Sequence, residues 1–372
     1  MEFSTLVEQR HSVRDFEPDI TIGDDELLSI FEQVILSPSS FNIQNWCFVV
    51  VRDPERKKAL RGLSYGQAQV EAASAAIVVC GRLDAHEDAP RIYADADPQA
   101  LATIVRAADR SGFDYVAVCD HIAIPDENAD SMSTVWYDTV ATLSWIAGMT
   151  EQVRLLSHVY VPAYRHPAAV AKAWTTLDAL SGGRAILGVG AGHVAREFEI
   201  LGLDHGQRGT RTDEVLAEIR SIFRTGRHGE ATVAPRSPQP DGLPIWVGGS
   251  SPAALRRVAQ FGDGWLPQGT PYNEMPAAVE TIHEHQERLH GERWPIDVGI
   301  ITSFLHVGDP DFEVPPGSFT GEPERLARGL GRLAQLGATQ LQVRFAARSA
   351  AEYAEQVERF GAEVAPLLAP DD

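Results

Sequence analysis

From residue 98 onward, short apolar runs alternate with amphipathic helical runs, and this alternation specifies a parallel sheet wound with helices. Strand candidates lie at residues 115–119, 154–161, 185–189, 244–247, 264–266, 298–307 and 340–345, seven in all. Helical stretches span 98–110, 137–149, 168–180, 211–223, 252–261, 275–290, 322–336 and 351–367, eight in all. A closed barrel of eight strand–helix units is therefore one strand short. The run AAIVVCG at 75–81 is continuous and apolar, as a strand buried on both faces must be, and it precedes the first of these helices. It is expected to supply the first stave.

The expected fold is thus α/β, a (β/α)8 TIM barrel over residues 75–372 with a hybrid junction at 75–97. Boundary chemistry agrees: Ser181-Gly182-Gly183 suits a left-handed helix end, and Ser251-Pro252 suits a helix start. Residues 1–74 read differently, with a helix at 24–36, a small-polar loop at 37–45 and a strand at 46–51. The stretch TGRHGEATVAPRSPQPDG at 225–242 carries three prolines and three glycines. It reads as an excursion over the barrel mouth or as a disordered surface loop.

Charge excludes several partners. Fifty-two acidic against 32 basic side chains in 372 residues leave a net charge of −20. Binding to a nucleic-acid backbone or an anionic bilayer is unfavourable on such a chain. Cys47, Cys80 and Cys119 form no C-x-x-C pair and are odd in number, so neither a disulfide framework nor a metal site is expected, and the cytoplasm is the expected compartment. No apolar run reaches the roughly 18 residues of a spanning helix, and residues 1–50 lack a signal-peptide pattern, so a soluble, unprocessed protein is expected.

Five motifs carry a resemblance. Asp120-His121, YRHPAAVAKAWTTLDALSGGRAILGVGAG at 164–192, RGTRTDEVL at 208–216, PIWVGGSSPAALRRVAQFGDGWLP at 244–267 and QVRFAARSAAE at 342–352 together resemble the luciferase-like monooxygenase family. Within it they are most similar to the deazaflavin (coenzyme F420)-dependent branch, over residues 98–368. The resemblance implies a cofactor ring at the carboxyl ends of the strands, with Asp120 in the binding set and His121 beside the redox-active carbon. It implies a non-prolyl cis peptide at His158-Val159 behind the ring. It also puts His193 where sugar-phosphate dehydrogenases of the branch place a catalytic carboxylate. Pro125 stands where those enzymes carry a tryptophan, so sugar-phosphate oxidation is not expected.

Read as chemistry, the same residues agree. Active groups of such barrels sit on the loops after the strands, where His121 falls, and imidazole titrates near neutrality. His121 is therefore the expected proton partner and His193 the second. The bland alternatives are a strand-end histidine bonded to Asp120 and an exposed loop histidine. Gly188, Gly190 and Gly192 would let a planar ring approach the backbone, although close packing would require them equally. Gly248, Gly249, Ser250 and Ser251 join a strand to a helix, so free N–H groups and the positive helix end suit a cofactor phosphate. An ordinary turn with a serine cap is the alternative. Arg256 and Arg257 would add charge there or face solvent, and Trp136 and Tyr137 would line the pocket or join the core.

RHSVRDF at 10–16, LSPSSFNIQNWCFVVVRDPERKKAL at 36–60 and AAIVVCGRLDAHEDAPRIYADA at 75–96 resemble the first half of an FMN-dependent nitroreductase domain. That resemblance implies that Arg10, Ser12 and Arg14 held an FMN phosphate, while Pro38, Ser39, Ser40, Asn42 and Gln44 touched its ring; guanidinium groups suit a dianion. The second half of such a domain is not matched, and Asn45 replaces a usual proline, so this site is expected to be vestigial and the chain to be a fusion. The leading expectation is an oxidoreductase that transfers hydride between coenzyme F420 and a small organic substrate. Alternatives are an FMN-dependent monooxygenase and a catalytically impaired fusion that binds no cofactor. Both resembled families imply a homodimer.

Overall fold

The computed structural model describes residues 21–24, 26–27, 46–64, 66–81, 97–126 and 132–368. The chain divides into two compact units, residues 1–85 and 86–372. In the first, β1 (Trp46–Val51) is followed by α1 (Pro54–Leu63), α2 (Ala68–Ala72) and β2 (Ala76–Gly81). Helix α1 starts where it does because the Asp53 carboxylate accepts a hydrogen bond from the Arg56 N–H at 2.9 Å and Pro54 opens the helix.

β1 and β2 pair antiparallel, with Trp46 opposite Gly81 and Val51 opposite Ala76. The expectation that 75–81 forms the first barrel stave is therefore corrected. The reason lies in the signal itself: WCFVVV and AIVVCG are both continuous apolar runs, which mark a strand without naming its neighbour. The same register sets Cys47 opposite Cys80, a juxtaposition that their spacing conceals. The FMN-type positions Arg10, Ser12, Arg14, Pro38, Ser39, Ser40, Asn42 and Gln44 lie outside the described residues.

The second unit runs α3 (Pro98–Arg110), β3 (Tyr115–Val118), α4 (Thr139–Ala147), β4 (Arg154–Ser157), α5 (Pro167–Ser181), β5 (Ala185–Val189), α6 (Ala195–Ile200) and α7 (Arg208–Thr225). A short ribbon of β6 (Arg227–His228) and β7 (Ala231–Thr232) leads to β8 (Ile245–Gly248), α8 (Pro252–Phe261), β9 (Gly264–Leu266) and α9 (Met275–His290). The chain closes with β10 (Asp297–Val307), β11 (Phe319–Gly321), α10 (Pro323–Gln335), β12 (Gln340–Phe345) and α11 (Ala350–Arg359). β3, β4, β5, β8, β9, β10 and β12 follow one another as parallel neighbours, and β11 adds a parallel pair to β10. All seven staves expected after residue 98 are present in a curled parallel sheet. Among the described residues, no strand pairs with the outer edges of β3 and β12.

Strand alternation divides the core. Leu155, Leu187, Ile245 and Val247 face outward and pack with Trp174 and Ile219 of the helices. Leu156, Ile186, Trp246 and Leu266, offset by one residue, fill the barrel interior. The predicted strand 154–161 stops at Ser157, and the His158-Val159 peptide that follows is cis, the geometry the resemblance implies. Beyond it Tyr160 rejoins β5, donating to Gly188 O at 2.8 Å and accepting from Gly190 N at 2.9 Å.

Residues 225–242 do not lie over the mouth. Asp178 near the end of α5 accepts hydrogen bonds from Ser237 Oγ at 2.6 Å and Gln239 Nε2 at 2.9 Å, and from the first N–H of β5 at 3.0 Å. Lys172 donates to Ala234 O, and Arg236 donates to the carbonyls of Phe223 and Arg224. The segment straps the outer helices and returns at the amino end of β5. A helix-to-strand connection begins at the end of the barrel opposite the strand-to-helix loops, which accounts for this correction. No helix among the described residues is long and apolar enough to cross a membrane.

Candidate active site

The loop after β3 carries His121, whose side chain is 10% exposed. Its Nδ1 lies 3.2 Å from Oε2 of Glu197, a residue on α6 that is almost wholly buried. Oε2 also accepts from the Tyr164 hydroxyl at 3.1 Å, while Oε1 accepts from the N–H groups of Ile122 at 2.5 Å and Ala123 at 3.2 Å. Burial alone would raise the Glu197 carboxyl, but the bonds from His121, Ile122 and Ala123 outweigh it and hold the group below the usual carboxylate range. Burial and the neighbouring Glu197 charge push the Tyr164 phenol upward, so it remains a donor.

Two further rings frame His121. Trp136 packs 4.6 Å from it, and His193 stands edge-on at 6.1 Å. The structure thus brings together His121, His193 and Trp136. Burial first, then the nearby His121 and His205, lower the His193 imidazole despite the opposing pull of Glu197. Asp120 does not bond to His121. Its carboxylate takes both guanidinium nitrogens of Arg165 at 2.6 and 2.8 Å and the Val161 N–H at 2.9 Å, and Arg165 in turn covers the Tyr160 ring. Asp120 therefore anchors the chain just beyond the cis peptide.

The glycines also answer to that bulge. A Cβ on Gly188 would lie 1.9 Å from Ser157 O, and one on Gly190 would lie 2.5 Å from Val159 Cγ2. One on Gly248 would meet Val159 Cγ1 at 2.8 Å. Gly192 has φ +78° and would press on Phe198 at 2.9 Å. Packing of protein against protein accounts for each of these four. His158 on the bulge is buried, and its Nδ1 meets Gln342 Oε1 at 2.6 Å, but its Nε2 is buried with no partner. Burial lowers this imidazole in spite of the Gln342 bond.

At the β8–α8 turn, Ser251 Oγ caps the helix by accepting from Ala254 N at 3.2 Å. Ser250 Oγ accepts from Gln268 N and from Thr270 Oγ1, and Gly249 takes φ +114° with its N–H bonded to Leu266 O. The side chains here are committed, whereas the N–H groups of Ser250 and Ser251 make no hydrogen bond among the described residues. Arg256 and Arg257 do not serve this turn. Arg257 is buried and bonds Asp213 at 2.6 Å and Gly209 O at 3.2 Å, tying α8 to α7, and Arg256 reaches the same aspartate.

Glu197 and Tyr164 are the members that sequence reasoning missed. The one available signal was a glutamate one helical turn beyond Gly192-His193 and flanked by Phe198, a poor place for a solvated charge.

Comparison with known proteins agrees with the geometry. The profile of the luciferase-like monooxygenase family matches residues 76–315, and that of the nitroreductase family matches residues 7–135. The chain is 26% identical over 281 residues to a 5,10-methylenetetrahydromethanopterin reductase of Methanopyrus kandleri, covering 64% of this chain and 77% of that protein. It is 32% identical over 185 residues to an F420-dependent glucose-6-phosphate dehydrogenase of Kineococcus radiotolerans, covering 45% of this chain and 52% of that one. The solved coenzyme F420-dependent tetrahydromethanopterin reductase of Methanopyrus kandleri superposes with a TM-score of 0.58 at 22% identity, over 74% of this chain and 97% of that chain. The FMN complex of the oxygenating constituent of 3,6-diketocamphane monooxygenase from Pseudomonas putida superposes at 0.57 and 14% identity, over 75% and 96%. These two establish the luciferase-like TIM-barrel fold. The chain belongs to the luciferase-like monooxygenase family and is an oxidoreductase.

Proposed function

We propose that the barrel unit transfers hydride between coenzyme F420 and a small organic substrate. The observation that carries this reading is His121 at the carboxyl end of β3, held by Glu197 with its Nε2 left without a partner among the described residues. The likeness to relatives named for coenzyme F420 supports the deazaflavin reading.

The residues fit a planar, phosphate-bearing group in two respects. His158 Nε2 is a buried polar atom with no partner, a state that costs free energy unless something supplies one. The N–H groups of Ser250 and Ser251 are uncommitted beside the positive end of α8. When bound, the deazaflavin supplies the hydride chemistry at its ring carbon.

The chain's own part is positional and protonic. Ser250 and Ser251, with Gly248 and Gly249 shaping the turn, would hold the cofactor phosphate through backbone N–H groups. His158 and Val159, backed by Gly188, Gly190 and Gly192, would form a wall for the ring, and Asp120 fixes that wall through Arg165. His121 gives or takes the substrate proton at Nε2, with His193 as the second proton carrier. Ile122, next to His121 in the chain and 40% exposed, suits an apolar substrate body. The FMN-type residues of the first unit take no part.

The test is an absorption titration of the purified protein with coenzyme F420 and, separately, with FMN. Saturable F420 binding is expected, followed by turnover with simple alcohols or carbonyl compounds. Binding of FMN alone replaces this reading with a monooxygenase, and binding of neither overturns it.

A further inference from the structure

We propose that Glu197 is the positioning residue that sets the tautomer of His121, so that Nδ1 carries the proton and Nε2 presents a lone pair to the reacting group. The inference rests on the proposed function for its catalytic meaning, but its geometry stands alone. Glu197 has four hydrogen-bond partners, two at each oxygen: it accepts from Ile122 N, Ala123 N and Tyr164 Oη, and its Oε2 lies 3.2 Å from His121 Nδ1. Three of these groups can only donate or are held as donors. A carboxylate filled in this way stays ionised, and an ionised carboxylate can only accept. His121 must therefore donate from Nδ1, and the neutral ring must be bare at Nε2.

The arrangement is over-determined. Glu197 sits on α6, one turn beyond the Gly190–Gly192 segment, while His121 and the two N–H donors sit on the loop after β3 and Tyr164 stands before α5. One carboxylate thus joins three segments at the carboxyl ends of three staves. Ring rotation is blocked on one side by Trp136 at 4.6 Å, and His193 stands edge-on at 6.1 Å. Exposed alternatives for the carboxylate role are absent from these contacts: Glu199, the other acid on α6, is paired with Arg196.

Glu197→Gln is the informative variant because it keeps size and shape. Its Oε1 can still accept from Ile122 and Ala123, which leaves the amide nitrogen facing His121 Nδ1. Nδ1 must then accept, and the proton moves to Nε2. Histidine-labelled protein is measured by ¹⁵N NMR above neutral pH without cofactor, and the His121 signals are assigned by their loss in His121→Ala. The expected result is Nδ1–H in the natural chain and Nε2–H in Glu197→Gln, with kcat of the cofactor-loaded enzyme about 10- to 100-fold lower and KM little changed. An unchanged tautomer in Glu197→Gln, or Nε2–H in the natural chain, overturns the proposal. Should Glu197→Gln fail to fold, Tyr164→Phe, which removes one of the two donors at Oε2, is measured in its place; the Nδ1–H form is expected to persist, and its loss overturns the assignment of control to Glu197. The tautomer is read without any cofactor, so a failure of the proposed function appears separately, as absent F420 binding by the natural chain.

Discussion

Val159 Cγ2 occupies the space that a Cβ on Gly190 would need, 2.5 Å from it, so the bulge after β4 and the glycines of β5 are one packing unit. Gly188 is tighter still, because the obstacle at 1.9 Å is the backbone carbonyl of Ser157, which cannot swing aside as a side chain can. Gly188→Ala should therefore destabilise the barrel by at least about 3 kcal/mol and Gly190→Ala by about 1–3 kcal/mol. Denaturant titration measures both. Val159→Ala in the Gly190→Ala background should recover part of the loss, whereas it should not rescue Gly188→Ala. Equal rescue of both would show that the bulge is not what excludes the side chains.

Asp120 and Arg165 form a forked pair in which the carboxylate is almost wholly buried and the guanidinium is 21% exposed. Removing Asp120 leaves the Arg165 charge without its forked partner and also orphans the Val161 N–H. Asp120→Ala is expected to cost about 3–5 kcal/mol, and the double variant with Arg165→Met should cost less than Asp120→Ala alone. Thermal unfolding decides the order. Asp120→Ala with unaltered stability would contradict an anchoring role.

His121→Ala tests the proton role directly. Loss of a positioned acid or base is expected to lower turnover by about 10²–10⁴-fold. F420 binding should persist, because the proposed phosphate donors lie on the β8–α8 turn. His193→Ala should lower turnover less, since its ring stands behind His121 in the proposed order of proton carriers. Steady-state kinetics on both variants measures the difference, and a His121→Ala enzyme of full activity would remove the assigned role.

Much of this architecture was legible in the chain. The seven staves from 115 to 345 follow from apolar runs and helical periods, because burial on both faces leaves a continuous signal. The partner of 75–81 was not legible, since an apolar run does not specify which strand lies beside it. His121 could be found because it follows a strand. Glu197 could not, because the donors that make a buried carboxylate tolerable come from Ile122, Ala123 and Tyr164, distant in sequence. Asp120 was read beside its sequence neighbour His121, while its true partner is Arg165, brought near only by the bulge. Arg256 and Arg257 were readable as charge but not as ties to Asp213.

Two histidines make the folded chain sensitive to mild acid. His158 and His193 are both lowered from the ordinary value of 6.5, each first of all by burial. The unfolded chain therefore takes up these protons at a higher pH than the folded one does, and protonation favours unfolding. Their contribution is fully present above 6.5 and is lost as pH falls below it. Glu197 acts in a separate window: its folded carboxyl is held below 4.5, so its contribution is complete above that value and is lost as pH falls through the lower folded value. The melting temperature should thus decline in two stages on acidification. His158→Asn should flatten the first stage more than His193→Asn, because burial covers the His158 ring far more completely. Glu197→Gln should flatten the second and, by removing the charge that pulls His193 upward, shift part of the first to lower pH. A melting temperature that stays constant between about pH 7 and pH 5 in the natural chain would contradict neutral burial of His158.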